Sequence, residues 1–353
     1  MRWVIIALLL AAVGYLCLWP VPINPYAWEP TTDPGFTGPY AVNNALAGVE
    51  RFGQSAGNGP EDVAVDDRGR VFVGFIDGRI MRFDPDGKQT EVADTGGRPL
   101  GLDFAPSGDL IIADGYKGLL AMNSNNELRL LASEADGLPF AFTDDVDVAP
   151  DGSIYFSDAS SKLDPSSHGM NDAIEHGPYG RLLRYEPATG NTEVLLDGLY
   201  FANGIAVGPD EAYVLVNQTM SYDVLRYWLK GPKAGSAETF IDELPGFPDG
   251  ISFNGKDTFW LAIFAPRNPI LDKTAGQPFL RKVIYRLPEF LKPKPVPHAI
   301  VLGLNENGEV IHNLQDASDT AYAPVTSAEE AKGWLYLGSL TAPGYARIKA
   351  PTQ

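Results

Sequence analysis

The chain has 353 residues, 44% hydrophobic and 20% charged, an ordinary globular composition with material for a large core. Its formal charge of −18 repels a phosphate backbone and excludes nucleic acid as a partner. Cys17 is the single cysteine, so no intramolecular disulfide and no paired-cysteine metal or redox site can form.

The N-terminus reads MRWVIIALLLAAVGYLCLWPVPINP. Trp3 to Trp19 is uncharged and Pro20 ends the run, about 17 residues, at the lower edge of what spans a bilayer. No small-residue cleavage site follows. Residues 1–20 are therefore predicted to be an uncleaved signal anchor, a single N-terminal transmembrane helix, with a cleaved signal peptide as the alternative. Arg2 precedes the segment and no Lys or Arg follows until Arg51, which places the body on the non-cytoplasmic side of a membrane. Residues 21–42 are predicted to be a proline-rich stalk.

Residues 43–353 repeat one grammar. GPEDVAVDDRGRVFVGFIDGRIMRFDPDGKQTEV reads as four short strands joined by Gly turns, one blade of a propeller. The pattern returns from Arg98, Phe142, Phe201 and Phe247, with a degenerate copy from Val325 to Ile348. The predicted fold is all-β, a six-bladed β-propeller, with seven blades as the alternative. NNALAGVERFG is predicted to add an outer strand to the last blade and close the ring.

Two insertions break the repeats, SKLDPSSHGMNDAIEHGPYG in the third blade and APRNPILDKTAGQPFLRKVIYRLPEFLKPKPVPHA in the fifth. Long loops in compact folds are often lids, and surface decoration is the plainer reading. In the second, Arg281, Lys282, Arg286, Lys292 and Lys294 beside Phe279, Leu280, Phe290 and Leu291 suit an anionic lipid surface.

Aligned on the residue before each innermost strand, the blades give a column of Glu61, Leu100, Asp144, Asn203 and Asp249, with the sixth position near Val325. Innermost strands line the axial channel, so the column converges, and converging carboxylates need a counter-charge to stay ionised. A divalent cation supplies one, and an all-oxygen set suits Ca²⁺. The competing reading is that Asp and Asn before Gly simply make turns. Asp77, Asp151 and Asp158 read as structural. His168 and His176, on the third-blade insertion, read either as acid–base groups or as solvated loop residues. Asn217-Gln218-Thr219 is a glycosylation sequon. The chain has neither a G-x-S-x-G elbow nor an H-E-x-x-H helix.

The stretches GPEDVAV, GRPLGLDFAPSGDLIIADGYKGL, FTDDVDVAPDGSIYFSDASSK, GRLLRYEP, FANGIAV, PGFPDGISF and GWLYLGSL resemble the strictosidine synthase-like proteins. Within the wider gluconolactonase and senescence-marker superfamily, the short N-terminal anchor fits the adipocyte plasma membrane-associated branch. The resemblance implies a six-bladed propeller with a channel metal, usually calcium, whose ligands map onto Glu61, Asn203 and Asp249. At Asp144 the family commonly has Asn. It also implies that the carboxylate at Asp249 serves as an acid–base group. Phe142 stands where the sugar-lactonase branch has an Arg, which favours an apolar lactone or aryl ester over a sugar lactone. The plant synthases carry a Glu in the sixth blade near Thr326, and its absence disfavours condensation of an amine with an aldehyde.

The expected activity is hydrolysis of a small-molecule ester or lactone by a membrane-tethered propeller. Glu61, Asp144, Asn203 and Asp249 would hold the cation, with Asp249 or Asp144 activating water. Phe142, Tyr116 and Phe201 would form an apolar substrate wall. A tethered propeller that binds a partner around a structural calcium is the non-enzymatic alternative.

Overall fold

Short apolar runs punctuated by Gly and Asp-Gly turns pair locally into antiparallel sheets, and six four-stranded sheets succeed one another along the chain. The computed structural model describes residues 1–351. The innermost strands of the first five blades are Val63–Val65, Pro99–Phe104, Thr143–Val148, Ala202–Val207 and Gly246–Phe253. Ala328–Ala331 is the innermost strand of the sixth. Six blades, not seven, close the ring. The closing strand is Glu50–Phe52, which pairs with Tyr345–Lys349 as the outer strand of the last blade. Arg347 adds an ion pair to Glu50 at 2.9 Å.

The column residues do not sit in turns. In blades two to five the pairing of the innermost strand with its neighbour slips at one place: Pro99/Leu102, Thr143/Val146, Ala202/Ile205 and Pro248/Ile251. Each slip is a β-bulge, which re-aims side chains out of the pleat. Leu100, Asp144, Asn203 and Asp249 lie inside these bulges. The glycine after the acid or amide serves close approach of the neighbouring blade. A Cβ on Gly204 would stand 2.3 Å from the Asp249 carbonyl oxygen, and one on Gly250 would stand 2.6 Å from that of Thr326. The sixth position of the column is Thr326, one residue beyond the expected Val325, which is fully buried.

Below the bulges the blades are stitched by acids. Asp62 accepts the Leu102 N–H and Asp145 the Ile205 N–H; Asp103 accepts that of Val148 and Asp147 that of Val207. Each carboxylate thus satisfies a backbone donor of the next blade.

Both insertions arise between the second and third strands of their blades and rise on the same end of the propeller. The first carries helix α2 (Met170–Glu175), the second α3 (Pro269–Lys273) and α4 (Pro278–Arg286). Helix α1 (Arg2–Leu18) buries none of its residues. Its 17 residues rise about 25 Å, short of a hydrocarbon layer of about 30 Å. Among the described residues, no helix is long and apolar enough to cross a membrane. Residues 21–42 hold neither strand nor α-helix, yet they run against the propeller: the Tyr26 N–H donates to the Glu175 carbonyl, and Arg267 donates to the Thr31 carbonyl at 2.7 Å.

Gly204→Ala is expected to cost about 3 kcal/mol, because the contact is to backbone and cannot rotate away. Denaturant unfolding of the variant beside the wild type measures it; a loss within 0.5 kcal/mol or so, the ordinary surface range, would refute the packing role.

Candidate active site

One cavity of about 450 Å³ opens on the end of the propeller that carries the insertions. Glu61, Asp144, Asn203 and Asp249 line its floor, and Tyr116, Phe142 and Phe201 its walls. The repeats bring these seven residues together from five separate strands and loops. Phe142 and Phe201 pack edge to face with ring centroids 5.3 Å apart, both buried, and Tyr116 stands exposed at the rim. Leu100, Met220 and Leu271 extend the same apolar wall. Phe201 holds this position at φ +61°, a left-handed conformation that costs an aromatic residue free energy.

The floor concentrates negative charge in a place that water hardly reaches. Burial, and then the neighbouring Asp249 and Asp144, push the Glu61 carboxyl well above its ordinary range. Asp144 is driven up by burial and by Asp249, with the Arg98 guanidinium pulling it back. Burial raises Asp249 to about 8, and the Asn203 amide beside it opposes that rise. Carboxyls placed this way resist ionisation unless a cation joins them.

Reading the repeat for one column missed a second column two residues upstream: Gly59, Arg98, Phe142, Phe201 and Phe247. The last four all line the cavity. Arg98 is 4% exposed. It donates from Nη1 to the Gly59 carbonyl at 2.8 Å, while Nη2 is buried without a hydrogen-bond partner. A buried donor left unmade costs about 1–3 kcal/mol, so Arg98, which lines the cavity, gains by turning Nη2 toward a ligand oxygen. Asp114 fixes the loops around it, its Oδ1 accepting the N–H groups of Arg98, Tyr116 and Lys117, each at 3.0 Å. Asp158 has the matching place in blade three, accepting the Phe142 N–H at 3.0 Å and pairing with Arg181 at 2.6 Å.

The sequon residues belong to this site as well. Asn217 is 0% exposed inside strand Tyr213–Gln218, so it cannot receive a glycan as folded. Its amide donates to the Asp249 carbonyl, and Thr219 Oγ1 donates to the Pro248 carbonyl at 2.7 Å. Together they hold the bulge that carries Asp249. Thr326 plays a related part in the sixth blade, donating to the Glu61 carbonyl at 2.7 Å. The two candidate histidines separate. His168 lines the cavity from its exposed rim, and burial followed by Arg98 lowers its pKa. His176 is not a solvated loop residue: it is 3% exposed and stacks between Trp28 and Tyr200 at 3.9 and 4.7 Å. Burial and Arg281 push it down to about 3, so it stays neutral and packs.

Thr219→Val keeps the shape and strands the Pro248 carbonyl. The expected loss is about 1–2 kcal/mol of stability, together with weaker performance of whatever the Asp249 site does. Unfolding of wild type and variant side by side checks it, and equal stability would show that the bulge holds itself.

A family model described as strictosidine synthase matches residues 144–232, and one described as strictosidine synthase-like, N-terminal, matches residues 38–83. Protein STRICTOSIDINE SYNTHASE-LIKE 6 of Arabidopsis thaliana is 35% identical over 303 residues, covering 84% of this chain and 80% of the relative. The adipocyte plasma membrane-associated protein of Bos taurus is 34% identical over 362 residues, covering 96% and 87%. Among solved structures, a gluconolactonase from Xanthomonas campestris superposes with a TM-score of 0.63 at 16% identity, covering 94% of this chain and 99% of that one. A luciferin-regenerating enzyme gives a TM-score of 0.60 at 13% identity, over 86% and 95%. At these identities the two structures bear on the fold alone. The identity and coverage of the sequence relatives go further: the chain belongs to the strictosidine synthase-like family.

Proposed function

We propose that this chain is a cation-dependent hydrolase of carboxylic esters or lactones, of the aryl-ester or apolar-lactone kind, with calcium as the cation. The observation that carries the reading is the composition of one cavity. Three buried carboxyls, an amide and an unsatisfied guanidinium face each other beneath an aromatic wall. The likeness of the fold to a gluconolactonase supports a lactonase-like role in general terms.

Glu61, Asp144, Asn203 and Asp249 fit a hard divalent ion by the chemistry of their donors, all of them oxygen. Among the described residues, no three His, Cys, Asp or Glu side chains stand close enough together to hold a metal ion as placed. To hold an ion, the four would have to draw together around it. When bound, that cation supplies polarisation of a carbonyl and stabilisation of an oxyanion.

The rest falls to the chain. Phe142, Phe201 and Tyr116 hold the apolar part of the substrate and exclude water from the reacting carbonyl. Arg98 donates from Nη2 to a substrate oxygen. Asp249, assisted by Asp144, takes the proton of the attacking water and returns it to the leaving oxygen as the acyl C–O bond breaks, giving the free acid and the alcohol or hydroxyl. Thr326, engaged with the Glu61 carbonyl, leaves the sixth blade without the acid that condensation would need. Helix α1, apolar and without a buried residue, is the tether to a membrane, and Arg2 ahead of it favours the propeller on the non-cytoplasmic side of a bilayer locally thinned to its 17 residues.

The test uses the full chain in detergent, stripped with chelator and then given calcium, on a panel of aryl esters and apolar lactones. Calcium-dependent acid release is expected, with Asp249→Asn reducing kcat by about 10²-fold or more. Undiminished turnover in that variant would refute the assignment of the base. A calcium-raised melting temperature with no turnover on any substrate would assign the propeller to binding.

The carboxyl shifts also fix a pH dependence. Asp249 loses its proton near pH 4 when unfolded and near pH 8 when folded. The folded, cation-free chain therefore holds more protons across that window, and its stability falls as pH rises from about 4 to about 8. Calcium must displace those protons, so its affinity rises over the same range. Melting of the stripped protein at pH 6 and pH 8.5, with and without calcium, is expected to show the larger calcium effect at pH 8.5. Equal effects at both pH values would mean that these acids do not bind the ion.

A further inference from the structure

The fifth-blade insertion is basic and apolar on a chain of charge −18. Residues 269–298 hold six lysines and arginines against Asp272 and Glu289; Arg281 and Arg286 are buried and Lys292 pairs with Glu289, which leaves Lys273, Lys282 and Lys294 at the surface. Several of the large apolar side chains point to solvent: Phe279 is 56% exposed, Phe290 76% and Val296 63%. Leu280 and Leu291 are exposed beside them. Scattered exposed apolar residues are ordinary, but a continuous patch rimmed by charge marks an interface.

Three contacts make this patch continuous with α1 and with the cavity. Arg286 of α4 donates to the Trp19 and Leu16 carbonyls at 2.7 and 2.8 Å, capping the C-terminal end of α1. Lys292 lies over the Tyr285 ring at 5.2 Å, which seats the turn after α4 upon the helix. On its other side α4 sends the fully buried Arg281 to the Ala173 carbonyl of α2 at 2.8 Å, and Ala173 lines the cavity. The segment after that turn lines the cavity directly through Pro293, Lys294 and Val296. One rigid run of contacts therefore joins α1, the exposed patch and the cavity mouth.

We propose that this face docks on an anionic phospholipid surface and sets the mouth of the cavity at the lipid boundary. The substrate is then an ester or lactone dissolved in the bilayer, one with a long acyl or aryl chain, which enters from the membrane rather than from water. Apolar side chains bury at the acyl boundary and the lysines meet the headgroups, as in interfacial helices generally. The substrate class rests on the hydrolase reading; the docking does not.

The full chain, in a Cys17→Ala background, is placed in vesicles of phosphatidylcholine and phosphatidylserine. A polarity-sensitive dye is attached at Phe290→Cys, or at Asn307→Cys on a turn at the opposite end of the propeller. Blue-shifted emission quenched by brominated acyl chains is expected at position 290 and not at 307. A dye at 290 as water-exposed as that at 307 would overturn the docking. The substrate class is read separately, from Phe279→Ser/Phe290→Ser/Leu291→Ser, surface changes outside the cavity lining. In vesicles this variant is expected to lose about tenfold in kcat/KM for a long-chain aryl ester, equivalent to about 1.4 kcal/mol. It should keep wild-type kcat/KM for a short-chain ester in detergent. Unchanged long-chain turnover in vesicles would overturn delivery from the bilayer. Failure of the wild type on every ester would sink the hydrolase reading, and the dye would still decide the docking.

Discussion

Six innermost strands converging on one axis bring side chains from distant parts of the chain into a space that water barely enters. In this protein many of those side chains are acids. Desolvation disfavours each charge, and each neighbouring acid disfavours it again, so the axis is the place where the fold can least tolerate an unpaired group. The bulges and close-packed glycines follow from the same convergence. A regular ladder would bury every second side chain within the blade. A bulge turns one residue of each innermost strand toward the axis, and Gly204 and Gly250 allow the next blade to come close enough to meet it.

The two ends of the axis handle their acids differently. At the lower end, Asp62, Asp103, Asp145 and Asp147 each accept a backbone N–H from the following blade. Burial raises all four, and these backbone donors pull each of them back. Each therefore has a partner within the protein. At the upper end, burial and then the neighbouring Asp249 raise both Glu61 and Asp144, with no backbone donor among the described residues to pull them back. Acids answered by the chain are structural, whereas acids answered by one another call for something from outside.

The repeat, its six copies, the closing outer strand and the converging column were legible because each is periodic. Position 249 resembles position 203 in the sequence and occupies the equivalent place in the fold. The two readings weighed for Asp and Asn before Gly also part here, since the glycines meet neighbouring backbone and the polar residues lie in strands. What the sequence did not disclose depends on contacts between blades. Arg98 was visible as a letter two places before Leu100, in register with Phe142 and Phe201, but its burial and its unmade hydrogen bond are properties of the assembled cavity. Asn217 matched a modification motif and proved to be a brace for Asp249. His176 sits on a polar loop and is buried by Trp28, a residue about 150 positions away in the chain. Apolar composition and Pro20 marked out α1, yet its length falls below a bilayer's thickness by only a few residues, a margin that hydropathy alone resolves poorly.

The placement of charge within the cavity constrains what can bind there. Sugar acids and other polyols would need hydrogen-bonding partners on the side where Phe142, Phe201, Met220 and Leu271 stand, and these offer none. A simple apolar guest would leave Arg98 Nη2 unsatisfied and the three acids without a counter-charge, gaining from the wall and nothing from the floor. A ligand that uses the whole cavity has an apolar body for the wall and one oxygen-bearing, polarisable head for Arg98. It also needs the acids neutralised, by protons or by a cation, before that head can approach them. Substrate binding and charge compensation on the floor are thus linked, and in the proposed hydrolase the ion that neutralises Glu61, Asp144 and Asp249 is also the group that makes room for a carbonyl beside them.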